Sequence, residues 1–468
     1  MTGHVQLAVI GAGPAGMAAS IEAANHGVAA ILIDEQPRPG GQIYRAITSA
    51  ARPGKAVLGD DYEHGTGLTS ALAASTAEHW TGTTVWQVTP EREIYLTRDG
   101  VSRTITADAI IIANGATERP MPFPGWTLPG VMTAGAGQIL LKTSRLVPQR
   151  GLVLAGSGPL LLLIAAQYLR AGGAVEAIVE TTPRGNTRKA LRHLPGALKA
   201  SGYLLKGLGL LAELGRHKVR HLRNASHLEA IGDGALEALR FLQSGKRHEI
   251  ACSTLMLHIG VVPNVQISRS LDLPHDWDEL QRCWRPRHDQ TGATELDGVY
   301  VAGDGAGIGG ALAAEIEGRI AGLAVAGKLG TLERKDAAAR IAGERSRLAR
   351  DMAVRPFLDA LYAPSPEFLA PGDDTIVCRC EEVTAGQIRS YVSLGCIGPN
   401  QTKSFGRSGM GPCQGRMCGL TVSEIIARET GKPMADVGYY RIRPPIKPVT
   451  LGELAALHED THRACRAE

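Results

Sequence analysis

The sequence predicts an α/β protein built from two dinucleotide-binding domains, with a small cysteine-rich module behind them. Three observations point that way. A glycine-rich turn between an apolar strand and a helix occurs twice, in "VIGAGPAG" and "VLAGSGPL". Further short apolar runs ending in glycine read as buried strands of parallel sheets. Five of the eight cysteines lie between residues 378 and 418.

The elements follow in order. Residues 5–10 form an apolar run bounded by glycine; a helix follows, and the next strand, 29–33, ends at Asp34. The pattern returns at 152–155, with a helix and then a strand, 175–179, that ends at Glu180. Two copies so far apart exclude a solenoid. Between them, "ITADAIIIANGATERPMPFPG" is a buried strand running into a glycine turn. "STLMLHIGVVPN" and "GVYVAGDGAGIGG" supply two more, the latter feeding a helix. From about residue 331 the texture changes to a charged amphipathic helix broken by prolines. These signals give a discontinuous first domain, 1–118 and 250–330, around a second, 119–249. A helical linker, 331–373, the cysteine module, 374–435, and a proline-rich tail, 436–468, complete the chain; the tail is expected to run extended over a surface.

At 468 residues, with 44% hydrophobic residues and a net charge of +4, the chain has room for two or three cored domains. Its interspersed charges give no reason to expect a nucleic-acid partner. No apolar run of membrane-spanning length appears, and the first strand begins too early for a secretion signal. Cysteines crowded in a signal-less chain favour a metal or redox site over a disulfide framework. A cytoplasmic location is expected, with peripheral contact on the inner face of the membrane allowed.

In the first turn, Gly11-Ala12-Gly13-Pro14-Ala15-Gly16, each glycine has a task. Gly11 permits the sharp bend, Gly13 lets the backbone approach a pyrophosphate, and Gly16 lets helix and strand pack closely. Free N–H groups and the positive helix end then face the phosphates. Asp34 is placed for ribose hydroxyls, with Glu35 beside it. The second turn keeps Gly156 and Gly158, but Leu161 stands where the third glycine belongs. Overpacking there costs about 1–3 kcal/mol, which argues against tight dinucleotide binding even with Glu180 in the ribose position. The remaining candidates are unconvincing. His258 on its apolar strand reads as structural, residues 60–64 ("DDYEH") as a solvated loop, and Cys252, Cys283 and Cys465 as isolated thiols.

The cysteine module offers Cys378 and Cys380 in Cys-x-Cys and Cys413 and Cys418 in Cys-x4-Cys. Four thiolates on two tight loops can enclose one metal centre, with Arg379, Lys403, Arg407 and Arg416 offsetting their charge. Cys-x-Cys fits a zinc knuckle poorly, and an iron–sulfur centre suits a chain with a redox domain. Cys396 reads as a packed residue.

"PGGQIYR", "IIANGATERP" and "GVYVAGDGAG" resemble segments of the two-dinucleotide-binding-domain, Rossmann-like flavoproteins of the thioredoxin reductase class. The resemblance implies FAD in the first domain. Gly41 and Gln42 would lie beside the flavin, Ala113, Asn114 and Gly115 along the adenosine, and Gly303 and Asp304 at the ribityl–pyrophosphate region. Asp304 is also placed to cap the following helix. The active-site cysteine pairs of those reductases have no counterpart here.

The module itself resembles the bacterioferritin-associated-ferredoxin-like [2Fe–2S] domain. "DEQPRPGGQIYR", "PGVMTAGAGQILLK", "AGSGPLLLLIA" and "GMGPCQGRMC" together are similar to the α subunits of heteromeric dye-linked amino-acid and opine dehydrogenases. That group includes the octopine and nopaline oxidase A subunits, the α subunit of D-hydroxyproline dehydrogenase, and one of the subunits of hydrogen cyanide synthase. The resemblance implies a hetero-oligomer in which an FAD-containing β subunit oxidises the carbon–nitrogen bond. The α chain then transfers electrons through FAD and a [2Fe–2S] cluster towards a dye or quinone-type acceptor. A small ferredoxin-like γ subunit, FMN at the α–β boundary, and ATP or another adenine nucleotide also belong to the group's repertoire. No catalytic residue is expected on this chain. The alternative is a stand-alone NAD(P)H-dependent flavoprotein reductase feeding its own cluster.

Overall fold

The computed structural model describes residues 3–464, so Cys465 lies outside the described residues. The first domain is a seven-stranded sheet. Its parallel part runs Glu78–Trp80, Ala30–Ile33, Gly3–Ile10, Val101–Ile112, Val299–Val301. All four residues of Ala30–Ile33 are buried, as expected of a strand covered on both faces. The first half of Val101–Ile112 turns outward to pair antiparallel with Glu93–Arg98, which pairs with Thr83–Val88. Helices Pro14–Asn25 and Ala311–Leu329 pack together. They approach closely because Gly318 and Gly322 face the carbonyls of Ala15 and Ala19, where no side chain fits.

The second domain is a parallel sheet ordered Arg220–Arg223, Ala177–Glu180, Leu152–Gly156, Thr254–His258, Val131–Thr133. A three-stranded antiparallel sheet, Ala225–Ile231, Ala238–Gln243 and Lys246–Ala251, accompanies it. The chain crosses between domains on the antiparallel pair Ala116–Glu118 and Val261–Pro263. The boundary expected at 250 therefore falls about ten residues later. An apolar run such as 254–258 suits either sheet, and only its pairing with Leu152–Gly156 decides.

Two further expectations are corrected. Residues 60–64 are not a loop but open the helix Asp60–Ala74, with Asp60, Asp61 and Glu63 in its first turn, where the helix dipole favours acids. The tail is irregular only to residue 450 and ends in the helix Leu451–Ala464. Thr450 starts that helix: its Oγ1 accepts from Glu453 N (3.2 Å), while Thr450 N donates to Glu453 Oε2 (2.7 Å).

The linker folds as helices Arg334–Asp351, Arg355–Leu361 and Pro366–Leu369. The cysteine module has a short hairpin, Ile376–Cys378 and Val383–Thr384, and helices Ala385–Ser393, Pro399–Gly406 and Gly419–Thr430. It does not stand apart. One continuous core joins Ala8, Ile10, Ile31 and Ile33 of the first sheet to Val377, Cys378, Ile388, Cys418, Val422 and Ile446. The tail then returns to the first domain: Ile446 N donates to Trp86 O (2.9 Å), and Lys447 pairs with Glu35 (2.7 Å). Among the described residues, no helix is long and apolar enough to cross a membrane.

Candidate functional site

The first glycine turn and the "PGGQ" turn face each other as bare backbone. Gly11 has φ +108°, and a Cβ there would lie 2.5 Å from Ala113 O; a Cβ on Gly16 would overlap the Gly11 carbonyl. Gly13 differs: its Cβ position is 4.0 Å from the nearest atom, Gly41 Cα. Gly41, at φ +58°, could carry a Cβ only 2.8 Å from Gly13 Cα. The space over Gly13 is thus open to something other than a side chain. Pro14 and Ala15 begin the helix behind it, and Gln42 lies exposed on the facing turn.

Asp34 and Glu35 are already engaged. Asp34 Oδ2 accepts from Ala12 N (2.6 Å) and Oδ1 from Gln36 N (2.7 Å), so the carboxylate ties the glycine turn to the strand end. Burial raises its pKa against those two bonds. Each oxygen keeps a second lone pair for a ribose hydroxyl. Glu35 meets Lys447 of the tail.

The turn after Val299–Val301 closes the region. Asp304 Oδ1 accepts from Gly309 N and Gly310 N (both 2.9 Å), ordering the loop before Ala311–Leu329. Gly303 N donates to Glu317 Oε2 (2.8 Å). Burial, with the Asp304 charge beside it, pushes the Glu317 carboxyl up to about 8. Two buried atoms in these segments have no partner within the protein: Asn114 Oδ1 and Arg45 Nε. A polar ligand along this groove would satisfy them.

Lys142, which no motif or spacing singles out, fixes the "GGQ" turn from the second domain. It is 2% exposed, and its Nζ donates to Ile43 O (2.8 Å), Gln42 O (3.2 Å) and Gln138 Oε1 (2.8 Å). Burial, then the nearby Arg45 charge, push its pKa down to about 7. The unfolded lysine titrates near 10.4. Between about pH 7 and 10.4 the unfolded state therefore holds the extra proton, and stability is expected to rise with pH by about 1.4 kcal/mol per unit. Denaturation midpoints measured across that window should rise for the natural chain and stay flatter for Lys142→Met.

The second turn retains a cavity of about 380 Å³. Leu161 and Leu162 form part of its wall, with Glu180, His221, Arg223 and Tyr362 around it. Gly156 (φ +130°) and Gly158 (φ +124°) keep their strained turn. His258 is buried, packs against Gly158 and pairs through Nδ1 with the half-buried Glu118 (2.8 Å). Glu180 accepts from His221 Nε2 (2.8 Å), which with Thr182 and Arg223 lowers its pKa against the cost of burial. The Tyr362 carbonyl accepts from Ser157 Oγ (3.1 Å), tying the linker to the turn.

All four candidate cysteine ligands approach one another, in crossed pairs. Cys378 Sγ accepts from the Cys418 thiol and also from the backbone at Gly409 and Glu381; together these pull its pKa down to about 6. Cys418, which donates and is buried, is pushed far up. Cys380 and Cys413 form the second pair, and burial raises Cys380. Among the described residues, no group of three or more His, Cys, Asp or Glu side chains is placed to hold a metal ion. Cys396 instead donates to Gly398 O (3.3 Å), as a packed thiol does. Cys252 and Cys283 are buried and pushed up to about 11 and 12, chiefly by that burial.

A two-domain nucleotide-binding oxidoreductase is the class this architecture defines. Residues 5–328 match the pyridine nucleotide-disulphide oxidoreductase family, to which the chain belongs, and residues 373–458 match the sarcosine oxidase A3 domain. Among curated relatives, the opine oxidase A subunit of Agrobacterium tumefaciens (strain Ach5) is 43% identical, over 98% of this chain and 93% of its own length. The hydrogen cyanide synthase subunit HcnB of Pseudomonas protegens is 32% identical, over 94% of this chain and 95% of its own. The L-proline dehydrogenase of P. horikoshii shares the fold, with a TM-score of 0.69 at 18% identity, over 96% of this chain and 79% of that one. A thioredoxin reductase of T. acidophilum superposes with a TM-score of 0.51 at 18% identity, over 69% of this chain and 98% of its own. The chain is therefore an oxidoreductase with an FAD-binding Rossmann-like fold, homologous to opine oxidase A subunits.

Proposed function

We propose that this chain is the electron-transfer subunit of a heteromeric opine or amino-acid dehydrogenase, taking electrons from a partner that oxidises the carbon–nitrogen bond. The observation that carries the reading is the convergence of Cys378/Cys418 and Cys380/Cys413 in a module sharing one core with the nucleotide-binding sheet. The kinship with opine oxidase A subunits over nearly the whole chain supports it.

In this reading the backbone at Gly13, with the "GAGPAG" and "GGQ" turns around it, would hold the FAD pyrophosphate. Asp34 would orient the ribose, and Asn114, Gly115, Gly303 and Asp304 would line the rest of the site. The four cysteines would hold a [2Fe–2S] centre, and the backbone donors at Cys378 favour a thiolate there. FAD supplies two-electron chemistry and the iron–sulfur centre one-electron chemistry. The protein's own residues fix geometry and charge. Lys142 holds the "GGQ" turn. Glu317, largely protonated at neutral pH, adds little negative charge beside the pyrophosphate region.

The purified chain should contain about two irons per flavin, and Cys413→Ser should abolish the iron–sulfur absorbance; bound zinc without iron would contradict the assignment. Opines and D-amino acids should reduce a dye only when a β-type partner is co-expressed. The cavity at the second turn favours the other reading, a self-contained NAD(P)H-dependent reductase. Anaerobic mixing with NADH or NADPH separates the two: slow or absent flavin bleaching is expected, and rapid bleaching would establish the reductase.

A further inference from the structure

Residues 181–212 contain six Lys or Arg and no Asp or Glu, in a chain whose net charge is only +4. They fold as helices Gly185–Leu191 and Leu194–Leu198 and the first part of Ser201–Arg216. Arg192 and Lys199, at the joints, keep right-handed helical dihedrals, but His193 and Ala200 beside them do not, so the path is three short helices separated by turns. Along it, three exposed leucines recur at a seven-residue spacing: Leu191, Leu198 and Leu205, 55%, 59% and 66% exposed. Leu208, one turn beyond Leu205, is 63% exposed. Each of the three is followed directly by a cation, Arg192, Lys199 or Lys206. Arg184, Arg188 and Lys189 extend the basic stripe, and all six cations are exposed. Among the described residues only Lys206 of the six is ion-paired, to Asp61.

The segment is held from its other side. Asn186 Nδ2 donates to the carbonyls of Leu361 (3.2 Å) and Ala363 (2.9 Å), and Ala190, Ala197, Leu210 and Leu214 are buried. The leucine face is therefore not an amphipathic surface awaiting an internal partner; it is the outside of a packed layer. Large exposed apolar residues rimmed by cations mark an interaction surface. The charge pattern chooses the occupant. A second copy would set like charges against each other. Long cationic stems beside exposed leucines match a helix lying in the interface of an anionic bilayer, with leucines among the acyl chains and ammonium and guanidinium groups at the phosphates.

We infer that the helical layer 185–208 docks this protein on an anionic membrane surface, through Leu191, Leu198, Leu205 and Leu208 and the flanking cations. The inference does not rest on the electron-transfer reading, since it needs neither cofactor nor substrate.

The test is co-sedimentation of the full purified chain with phosphatidylglycerol vesicles and, separately, phosphatidylcholine vesicles. Binding to the first but not the second, weakened by added salt, is expected. Leu198→Ser/Leu205→Ser should lower partitioning by about tenfold or more, because the apolar contribution scales with buried CH₂ groups. Arg192→Glu/Lys199→Glu should lower it at least as much. All four positions are exposed, so the melting temperature and flavin content should not change, which separates lost docking from misfolding. No pelleting, equal pelleting with neutral vesicles, or pelleting that both variants retain would overturn the inference. So would protection of Lys189 and Lys199 from acetylation by a co-purified partner protein but not by vesicles, because the face would then be a protein interface.

Discussion

A chain carrying Gly16→Val is expected to emerge without flavin and largely unfolded. The Cβ of any residue there would overlap the Gly11 carbonyl, and it would sit 3.3 Å from Leu32 Cδ1. Neither neighbour can yield: Gly11 N is bonded to Ile33 O (2.8 Å), and Leu32 is fully buried in the sheet. Forcing side-chain volume into a packed site costs about 1–3 kcal/mol or more, and here it also separates the helix from the strand that together form the turn. Gly13→Ala is the informative control. Its φ of −76° suits any residue, and its nearest neighbour would be 4.0 Å away. It should fold with the natural melting temperature yet bind flavin poorly, because the methyl group enters the space assigned to the pyrophosphate. Flavin absorbance and circular dichroism on the two variants separate steric collapse from ligand exclusion. Full flavin content in Gly13→Ala would refute the placement.

Arg282→Ala is expected to lower stability by about 3–5 kcal/mol and to loosen the cysteine module first. Arg282, in the hairpin between His275–Asp278 and Cys283–Pro286, reaches the module helix Gly419–Thr430. Its Nη2 donates to Glu424 Oε1 (2.5 Å) and Oε2 (2.7 Å), and its Nε adds a third bond (3.2 Å). Glu424 is 3% exposed, so removing the arginine strands a carboxylate in the core. The double variant Arg282→Ala/Glu424→Ala should recover part of the loss, since neither charge is then left behind. A lower urea midpoint for the single variant, with partial recovery in the double, is the expected pattern. Additive losses would mean that the pair does not act as a unit.

Local chemistry explains what was legible in the sequence. The glycine turn depends on three nearby residues and a strand–helix context, so it could be read directly. The four cysteines could be picked out as one cluster, but not which would approach which: Cys378 meets Cys418 and Cys380 meets Cys413. Lys142, Glu317 and the Arg282–Glu424 bond act across long stretches of chain, and nothing near them in sequence signals their partners. The helix at 60–74 was missed although its acidic first turn announces it. The domain boundary slipped because an apolar strand carries no label for the sheet it joins.

The shared core of the module and the first sheet has a consequence for biosynthesis. Ala8, Ile10, Ile31 and Ile33 leave the ribosome early, but the chain that covers their outer face ends near Ile446. At synthesis rates of about 5–20 residues per second, that apolar surface waits roughly 20–80 s for its cover. A nascent chain in that interval exposes a half-finished sheet to its neighbours. Expression yield should therefore respond to chaperone supply and to translation speed, and chains cut before the tail should accumulate as aggregates.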